Sequence, residues 1–312
     1  MSTTRSANDC DILPVQKSNG IYQGFLLSPM FYLFLLLLTI SGYLIATTLI
    51  ARTIYKGANQ AEDSGSISQH DTAIDSVFIL AFISAVIHFV YTIETSNAHG
   101  VLNLSLSSMT SLISLVLTII FLAGSLAIPI RSLGIMVFPL AALSLIFSYL
   151  WGAGVGDSSA AQTQGQFFTA HIYISILTYS FITIATIQSL LYVYQESLLK
   201  KRASSTMLLA LPPLQTMEKL LFRLVIIGFA LLSLTLLSGI FFSQEIFGQG
   251  FEFKHHTVFA ILSWLVFATL LFRRYQSGLR GSQAMKWTLL GFFLMQLGYF
   301  GTKMVSESIN IQ

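Results

Sequence analysis

Residues 171–202 have the sequence HIYISILTYSFITIATIQSLLYVYQESLLKKR, and residues 211–219 have the sequence LPPLQTMEK. The first segment opens on His171, continues as a long apolar run and ends in the basic cluster 200–202. A helix of about 20 apolar residues spans the ~30 Å hydrocarbon core of a bilayer. The stretch therefore predicts a membrane-spanning helix with an imidazole at one end and a basic cluster at the other, followed by a connection that contains two prolines.

The composition extends this prediction to the whole chain. Hydrophobic residues make up 54% of the sequence and charged residues 9%, and the mean hydropathy is +0.74. These values are typical of polytopic membrane proteins. The net charge of +3 comes without a basic patch interleaved with aromatic residues, which argues against nucleic-acid binding. Cys10 is the only cysteine, so a disulfide within the chain and a thiolate metal site are both excluded.

Apolar runs predict an all-α bundle of about eight transmembrane helices. Polar residues 1–28 predict a short external tail ahead of a single transmembrane domain at 29–312, and residues 51–75, rich in Gly, Ser and acidic side chains, predict a loop. The eight predicted spans are 30–52, 76–94, 106–128, 132–151, 167–194, 220–242, 256–272 and 285–306.

The distribution of lysine and arginine predicts the orientation. Loops that stay in the cytoplasm are enriched in these residues. The even-numbered loops and the two tails carry only Arg5, Lys17, Lys254 and Lys303, and the odd-numbered loops carry the other twelve. Both termini are therefore predicted to lie outside, in the periplasm of a bacterial inner membrane. The twelve are Arg52, Lys56, Arg131, Lys200, Lys201, Arg202, Lys219, Arg223, Arg273, Arg274, Arg280 and Lys286.

Histidines are the candidate functional residues. With this topology, His171 opens the fifth span at its outer end, and His255 and His256 open the seventh span at its outer end, while His88 lies inside the second span. An ionisable residue within a span faces the bundle interior or a cavity, and neutral imidazole is a common axial ligand of haem iron. Two outer histidines on different helices can clamp a haem at the membrane surface.

A purely structural interpretation of the same residues stays open. A histidine at the end of a transmembrane helix can lie at the membrane–water interface with its hydrogen bonds satisfied and have no ligand. For His88, an interhelical hydrogen bond is an equally good explanation. Helical spacing from His171 adds Ser175, Thr178 and Tyr179 as a polar stripe on an otherwise apolar helix. Such a stripe forms either the wall of a pocket or a contact between helices.

Four segments resemble the cytochrome c assembly family of membrane proteins, the CcsA, ResC and CcmC type. The resemblance extends over about residues 30–306, and its strongest part points to a branch of smaller, YpjD-like inner-membrane proteins. The segments are HIYISILTYSFITIATIQSLLYVYQE (171–196), the run that begins LPPLQTMEK (211–219), HHTVFAILSWLVFATLLFRRYQSGLRG (255–281) and YFGTKMV (299–305).

The resemblance implies a protein that handles haem during cytochrome c maturation. In the better-understood members, haem is held at the outer face between two histidines that flank a tryptophan-rich loop, and His171 matches the first of them. The implied cofactor is haem b, with His171 as an axial ligand of the iron and His255, His256 and His88 as further candidates. Haem, other cytochrome c assembly proteins and membrane lipid are the implied partners.

This chain also departs from the family pattern. The segment before the seventh span is SQEIFGQGFEFKHH (243–256) and lacks the tryptophan-rich signature; Phe272 stands where larger relatives have a histidine, and the chain ends in SESINIQ (306–312). Two hypotheses follow: a haem-binding assembly factor, or a non-haem accessory protein built on the same scaffold. An enzyme is not expected, because no motif pairs a nucleophile with a base.

Overall fold

The computed structural model describes residues 29–63, 70–96, 105–128, 130–152, 166–201, 212–241 and 255–305. The predicted tail at 1–28 lies outside these residues. Every element in the described ranges is helical, and a 3₁₀ turn at Arg131–Leu133 precedes the fourth helix. The helices are α1 (Pro29–Asp63), α2 (His70–Ser96), α3 (Leu106–Ala127), α4 (Gly134–Gly152), α5 (Gln166–Lys200), α6 (Leu214–Phe241), α7 (His255–Ser277) and α8 (Ser282–Gln296).

The chain is an all-α, polytopic membrane protein, as predicted. Within the described ranges, seven helices, α1 to α7, are long and apolar enough to cross a membrane. The eighth predicted span, 285–306, falls on α8 and its extension. There the helix widens into a π turn at Leu297–Gly301 and returns to α-helical geometry over residues 302–305.

The predicted loop at 51–75 is wrong over much of its length. α1 continues to Asp63, and α2 already begins at His70, so only residues 64–69 separate them in the described chain. The sequence RTIYKGANQAED (52–63) is polar but contains several good helix formers, so the first helix has no reason to end where its apolar run ends. Hydropathy marks where a membrane span ends, not where a helix ends.

Helix α5 lies at the centre of the bundle. It packs against α3, α6 and α8, and its apolar stretch is more buried than those of the other spans. α1 pairs with α2 and α4, α3 pairs with α4, and α7 pairs with α8. Because consecutive helices run antiparallel, the first residues of α5 lie beside the last residues of α6. Large apolar side chains left exposed on the outer helices, such as Phe82 and Phe293, form the surface that faces lipid.

One end of the bundle is held by hydrogen bonds from an arginine and from a glutamine side chain. The Arg274 guanidinium donates to Glu218 Oε1 at 2.7 Å and to the Leu279 carbonyl at 2.9 Å, and it lies over the Phe222 ring at 4.3 Å. Gln195 donates to the Pro212 carbonyl at 3.1 Å. We call this the basic end, because α5 finishes there with Lys200, and we call the opposite end, where α5 begins, the histidine end.

Two prolines and two glycines determine where helices begin and turn at the basic end. α6 starts directly after Pro212 and Pro213, where a proline lacks only an N–H that would have no partner in the helix. The Pro213 carbonyl accepts the first hydrogen bonds of that helix, at 2.8 and 3.1 Å. Gly278 and Gly281 have φ of 62° and 67°, a region that side chains disfavour, and they allow the chain to turn from α7 into α8 within a few residues.

Candidate functional site

His171 is fixed at the histidine end by a hydrogen bond from its Nδ1 to Ser238 Oγ on α6, at 2.8 Å. The Ser238 hydroxyl donates its single hydrogen to the Thr235 carbonyl at 3.0 Å. When that hydrogen is used in the bond to Thr235, Ser238 Oγ can only accept from the imidazole, and this assigns the hydrogen of the ring to Nδ1. In this tautomer the lone pair lies on Nε2. That is the nitrogen through which a histidine held in this way binds a metal.

His256 is the second histidine at this site, and it lies on α7. It is half-buried and close enough to His171 for the two imidazoles to repel each other when both are protonated. Gly239 of α6 also lies close to His171, because a Cβ at that position would lie 3.5 Å from His171 Cε1. His255 is the first residue of α7 and is exposed. Of the adjacent pair, His256 is thus the residue that faces the bundle.

The polar stripe below His171 joins α5 to its neighbours. Thr178 Oγ1 lies 3.1 Å from Thr235 Oγ1 on α6, and the Tyr179 hydroxyl donates to the Met295 carbonyl of α8 at 3.0 Å. Ser175 donates to the carbonyl of His171 in its own helix. Two members of the stripe therefore hold helices together around the site, which corresponds to the packing interpretation of the sequence pattern.

The π turn at Leu297–Gly301 also lies at the histidine end. A Cβ at Gly298 would come within 3.3 Å of the His256 carbonyl oxygen, so the backbone of the turn touches the first turn of α7. The Tyr299 ring packs on Tyr179 at 5.7 Å between centroids and belongs to the small apolar cluster around Ile172. The turn is thus in contact with both helices that carry the candidate histidines.

His88 lies elsewhere, between α1, α2 and α3. It is fully buried, and both ring nitrogens face hydroxyls: Tyr43 Oη lies 3.2 Å from Nδ1, and Ser111 Oγ lies 3.3 Å from Nε2. Ser111 Oγ is in turn 2.8 Å from Thr92 Oγ1. The structure therefore places His88 in an interhelical hydrogen-bond network, and binding a metal through either nitrogen would require one of these bonds to break. The structure does not bring His88 to the site of His171 and His256.

Among the described residues, the candidate donors of the site are the imidazoles of His171 and His256. Across the described part of the chain, no group of three or more His, Cys, Asp or Glu side chains is arranged to hold a metal ion. A pair such as His171 and His256 matches the axial ligand requirement of a haem iron rather than the closed shell of a structural metal ion.

Sequence reasoning missed Ser238 and the π turn. Ser238 occurs in the apolar run LLSGIFF (236–242), where a lone hydroxyl has no feature that distinguishes it from a helix-packing serine. The pairing of α5 with α6, which is clear only in three dimensions, gives it a role. The loop at 243–254, which precedes the histidine pair, lies outside the described residues.

A polytopic helical bundle, with seven helices in the described ranges that are long and apolar enough to cross a membrane, defines the class as an integral membrane protein. Comparison with known sequences then places the chain. The sequence model for "Cytochrome C assembly protein" matches residues 71–310, which is well over half of the length of this chain. The chain belongs to the cytochrome c assembly protein family.

Individual relatives are more distant. The inner membrane protein YpjD of Escherichia coli K12 is 30% identical over 140 residues, which is 45% of this chain and 52% of YpjD. Protein HemX of Brevibacillus brevis is 25% identical over 131 residues, 42% of this chain and 48% of HemX. The cytochrome c biogenesis protein CcsA of Cyanophora paradoxa is 29% identical over 94 residues, 30% of this chain and 29% of CcsA. The match to YpjD and HemX thus covers about half the length of those relatives.

Proposed function

We propose that the protein binds haem b between His171 and His256 at the outer face of a bacterial inner membrane, and that it serves cytochrome c biogenesis by holding and presenting the haem. The role is one of ligation and transfer rather than catalysis, with haem, lipid and other assembly proteins as its partners. Membership of the cytochrome c assembly family and similarity to proteins named for cytochrome c biogenesis support this assignment. Similarity to a protein named as an inner membrane protein supports the location.

The observation that carries the proposal is the short contact between His171 Nδ1 and Ser238 Oγ, from which the tautomer of His171 is assigned. Ser238 accepts from Nδ1 at 2.8 Å while its own hydrogen goes to the Thr235 carbonyl, so the lone pair is on Nε2. A histidine that binds a metal characteristically donates its other ring N–H to a fixed partner, which orients the ring and raises its basicity. The arrangement at α5 and α6 has this form.

His256 would supply the second ligand, and a haem iron with two axial imidazoles needs no further protein donor. Haem, when bound, supplies the iron and the large apolar ring that is to be transferred. The chain's own residues hold the ligands in place: Ser238 orients His171, and the backbone around Gly298 supports the first turn of α7, which carries His256. His255, which precedes it on the exposed side, remains an alternative ligand.

A non-haem accessory protein on the same scaffold is the second candidate. Two observations favour it: the segment before α7 lacks the tryptophan-rich signature that accompanies haem in the family, and the ring nitrogens of the deeply buried His88 are both engaged by hydroxyls. In this case the histidines at the membrane surface would form only structural hydrogen bonds.

The absorption spectrum of the detergent-purified protein distinguishes the two candidates. Oxidised and reduced spectra are recorded for the wild type and for His171→Ala, His255→Ala and His256→Ala, before and after addition of haem. We expect a Soret band that is lost or strongly shifted in His171→Ala and His256→Ala and is retained in His255→Ala. A wild-type protein that is colourless and does not bind added haem would overturn the haem assignment and leave the accessory role.

A further inference from the structure

The π turn at Leu297–Gly301 is the least regular part of the last helix. In a π turn each N–H bonds to the carbonyl five residues back instead of four, so the turn holds one extra residue and is wider than an α-helical turn. π turns are rare and are frequent at functional sites. This one lies at the histidine end, and its last three residues, 299–301, are the first three of the YFGTKMV segment that carries part of the family resemblance.

Gly298 connects the turn to α7. A Cβ at this position would lie 3.1 Å from Phe259 Cβ and 3.3 Å from the His256 carbonyl oxygen, with Ala260 N at 3.8 Å. Two of these three atoms belong to backbone, and the third is the Cβ of Phe259, which cannot rotate away. Separations of 3.1 and 3.3 Å are tighter than an ordinary contact, so a side chain at residue 298 would require α7 to shift by a few tenths of an ångström.

Tyr299, the next residue, connects the turn to α5. Its ring packs on Tyr179 at 5.7 Å and joins the apolar cluster formed by Met109, Ile172 and Ile176. Ile172 directly follows His171 in α5. Adjacent residues of one turn thus contact the helix of His256 and the helix of His171.

Side-chain hydrogen bonds hold the turn in this geometry. The Tyr179 hydroxyl donates to the Met295 carbonyl at 3.0 Å, and the Thr302 hydroxyl donates to the Gly298 carbonyl at 2.6 Å. Carbonyls that a widened turn removes from the regular helical pattern are costly to leave unpaired in a membrane. These bonds stabilise the turn in a position where it contacts both α5 and α7.

We propose that the widened turn sets the spacing between His171 and His256, with Gly298 and Tyr299 as its two contact points. The proposal rests on the proposed function for the identity of the ligand, but the spacing itself is a property of the protein alone. Gly298 is a positioning residue: it has no side chain that could bind a metal, and it acts by allowing the first turn of α7 to lie against the π turn.

The test compares Gly298→Ala with Gly301→Ala. Both substitutions add one methyl group to the same turn, but at Gly301 the nearest atom to the new Cβ is the flexible Leu297 Cδ2 at 3.8 Å, an ordinary contact. At equal haem loading, the wild type and Gly301→Ala should show the low-spin spectrum of two axial imidazoles. Gly298→Ala should show high-spin haem with His171 as the only protein ligand, and a haem affinity lower by about tenfold or more.

A second measurement needs no haem. Spin labels on His171→Cys and His256→Cys, in a Cys10→Ser background, report the separation of the two positions. We expect Gly298→Ala to lengthen or broaden the distance distribution and Gly301→Ala to leave it unchanged. Gly298→Ala could fail to fold, and Tyr299→Leu is the second variant for that case. Leucine is smaller than tyrosine, so this substitution removes the ring contact with Tyr179 without crowding the site and should broaden the same distance distribution.

The outcomes separate the two proposals. A wild type without haem but with a spacing sensitive to Gly298→Ala would overturn the haem assignment and leave the spacing role. Low-spin haem and an unchanged label distance in Gly298→Ala would overturn the spacing role and leave the haem assignment. Equal effects of Gly298→Ala and Gly301→Ala would also overturn it, because the close contact with α7 is specific to residue 298.

Discussion

His171 Nδ1 and Ser238 Oγ lie 2.8 Å apart although 67 residues separate them in the chain. The bond joins the second turn of α5 to the last turn of α6, and it exists because these helices run antiparallel. Because the serine hydrogen is directed to the Thr235 carbonyl, the bond also determines which imidazole nitrogen keeps its lone pair. One hydroxyl thereby links the packing of two helices to the metal-binding chemistry of a histidine.

Replacing Ser238 with alanine should weaken haem binding while the fold is retained. Loss of the Nδ1 partner leaves the ring free to rotate and to change tautomer, and loss of such a partner typically lowers metal affinity about 10–100-fold. Haem titration of Ser238→Ala should show this loss, and Ser238→Thr should restore the affinity. Ser175→Ala is the matched control, because the Ser175 hydroxyl bonds only to its own helix in the described structure. Equal affinities in Ser238→Ala and Ser175→Ala would contradict the tautomer argument.

Replacing His88 with alanine should lower stability and leave haem binding in the folded protein unchanged. The substitution removes the imidazole partner of the Tyr43 hydroxyl in a fully buried region, while Ser111 keeps its contact with Thr92. A buried polar group that loses its partner costs about 1–3 kcal/mol. Thermal unfolding in detergent measures the loss, with Ser114→Ala as a control because Ser114 bonds within its own helix. Haem loss at unchanged stability would instead identify His88 as a ligand, as the sequence also allowed.

Adding a methyl group at Gly228 should disrupt the contact between α5 and α6. A Cβ there would lie 2.7 Å from Ile182 Cγ1, and overpacking of this kind costs about 1–3 kcal/mol. Gly239→Ala in the same helix meets only His171 Cε1 at 3.5 Å and should change the unfolding temperature little. A double-mutant cycle with Ile182→Ala checks the cause: in that background Gly228→Ala should become nearly neutral, and an unchanged penalty would mean that the crowding lies elsewhere.

Replacing Arg274 with glutamine should destabilise the basic end. The guanidinium bonds to Glu218 and to the Leu279 carbonyl and lies over Phe222, and both charged side chains are largely buried, with 28% and 13% exposed. Removal of one partner leaves the other charge unpaired, at a cost of about 1–3 kcal/mol in this partly buried setting. Arg273→Gln, at the exposed neighbouring position over Trp287, is the control and should cost less. Equal losses in the two variants would contradict the special role of Arg274.

The predicted topology can be tested without engineering a label, because Cys10 is the only cysteine. If the N-terminus is outside, a maleimide that does not cross the inner membrane should label Cys10 in cells with a permeable outer membrane. A Lys201→Cys variant in a Cys10→Ser background should be labelled only after lysis. The reverse pattern would place the histidine end in the cytoplasm and contradict the positive-inside argument.

The sequence predicted the large features of the fold because those depend on hydrophobic length. The location of His171 and His256 at one end followed from counting spans; in the structure His171 lies in the second turn of α5 and His256 in the first turn of α7, and the turn at Leu297–Gly301 is in contact with both helices. The sequence could not choose between His255 and His256, since adjacent residues point about 100° apart on a helix and the facing side depends on how α7 is rotated. Nor could it identify Ser238 or the π turn. In the case of the turn, the sequence LGYFG has no local feature that requires hydrogen bonds to the carbonyl five residues back.

The turn at Leu297–Gly301 contains one extra residue, so the side chains before it and after it follow two different angular series around the axis of the last helix. Each residue advances an α-helix by about 100°, so deleting one residue between 297 and 301 would restore regular geometry and rotate everything beyond it by about that angle relative to α8. Thr302 and the residues after it would then face a different neighbour, although every side chain apart from the deleted one would still be present. In this region the number of residues therefore specifies the structure as much as their identities do, and a deletion can be more damaging than any single substitution.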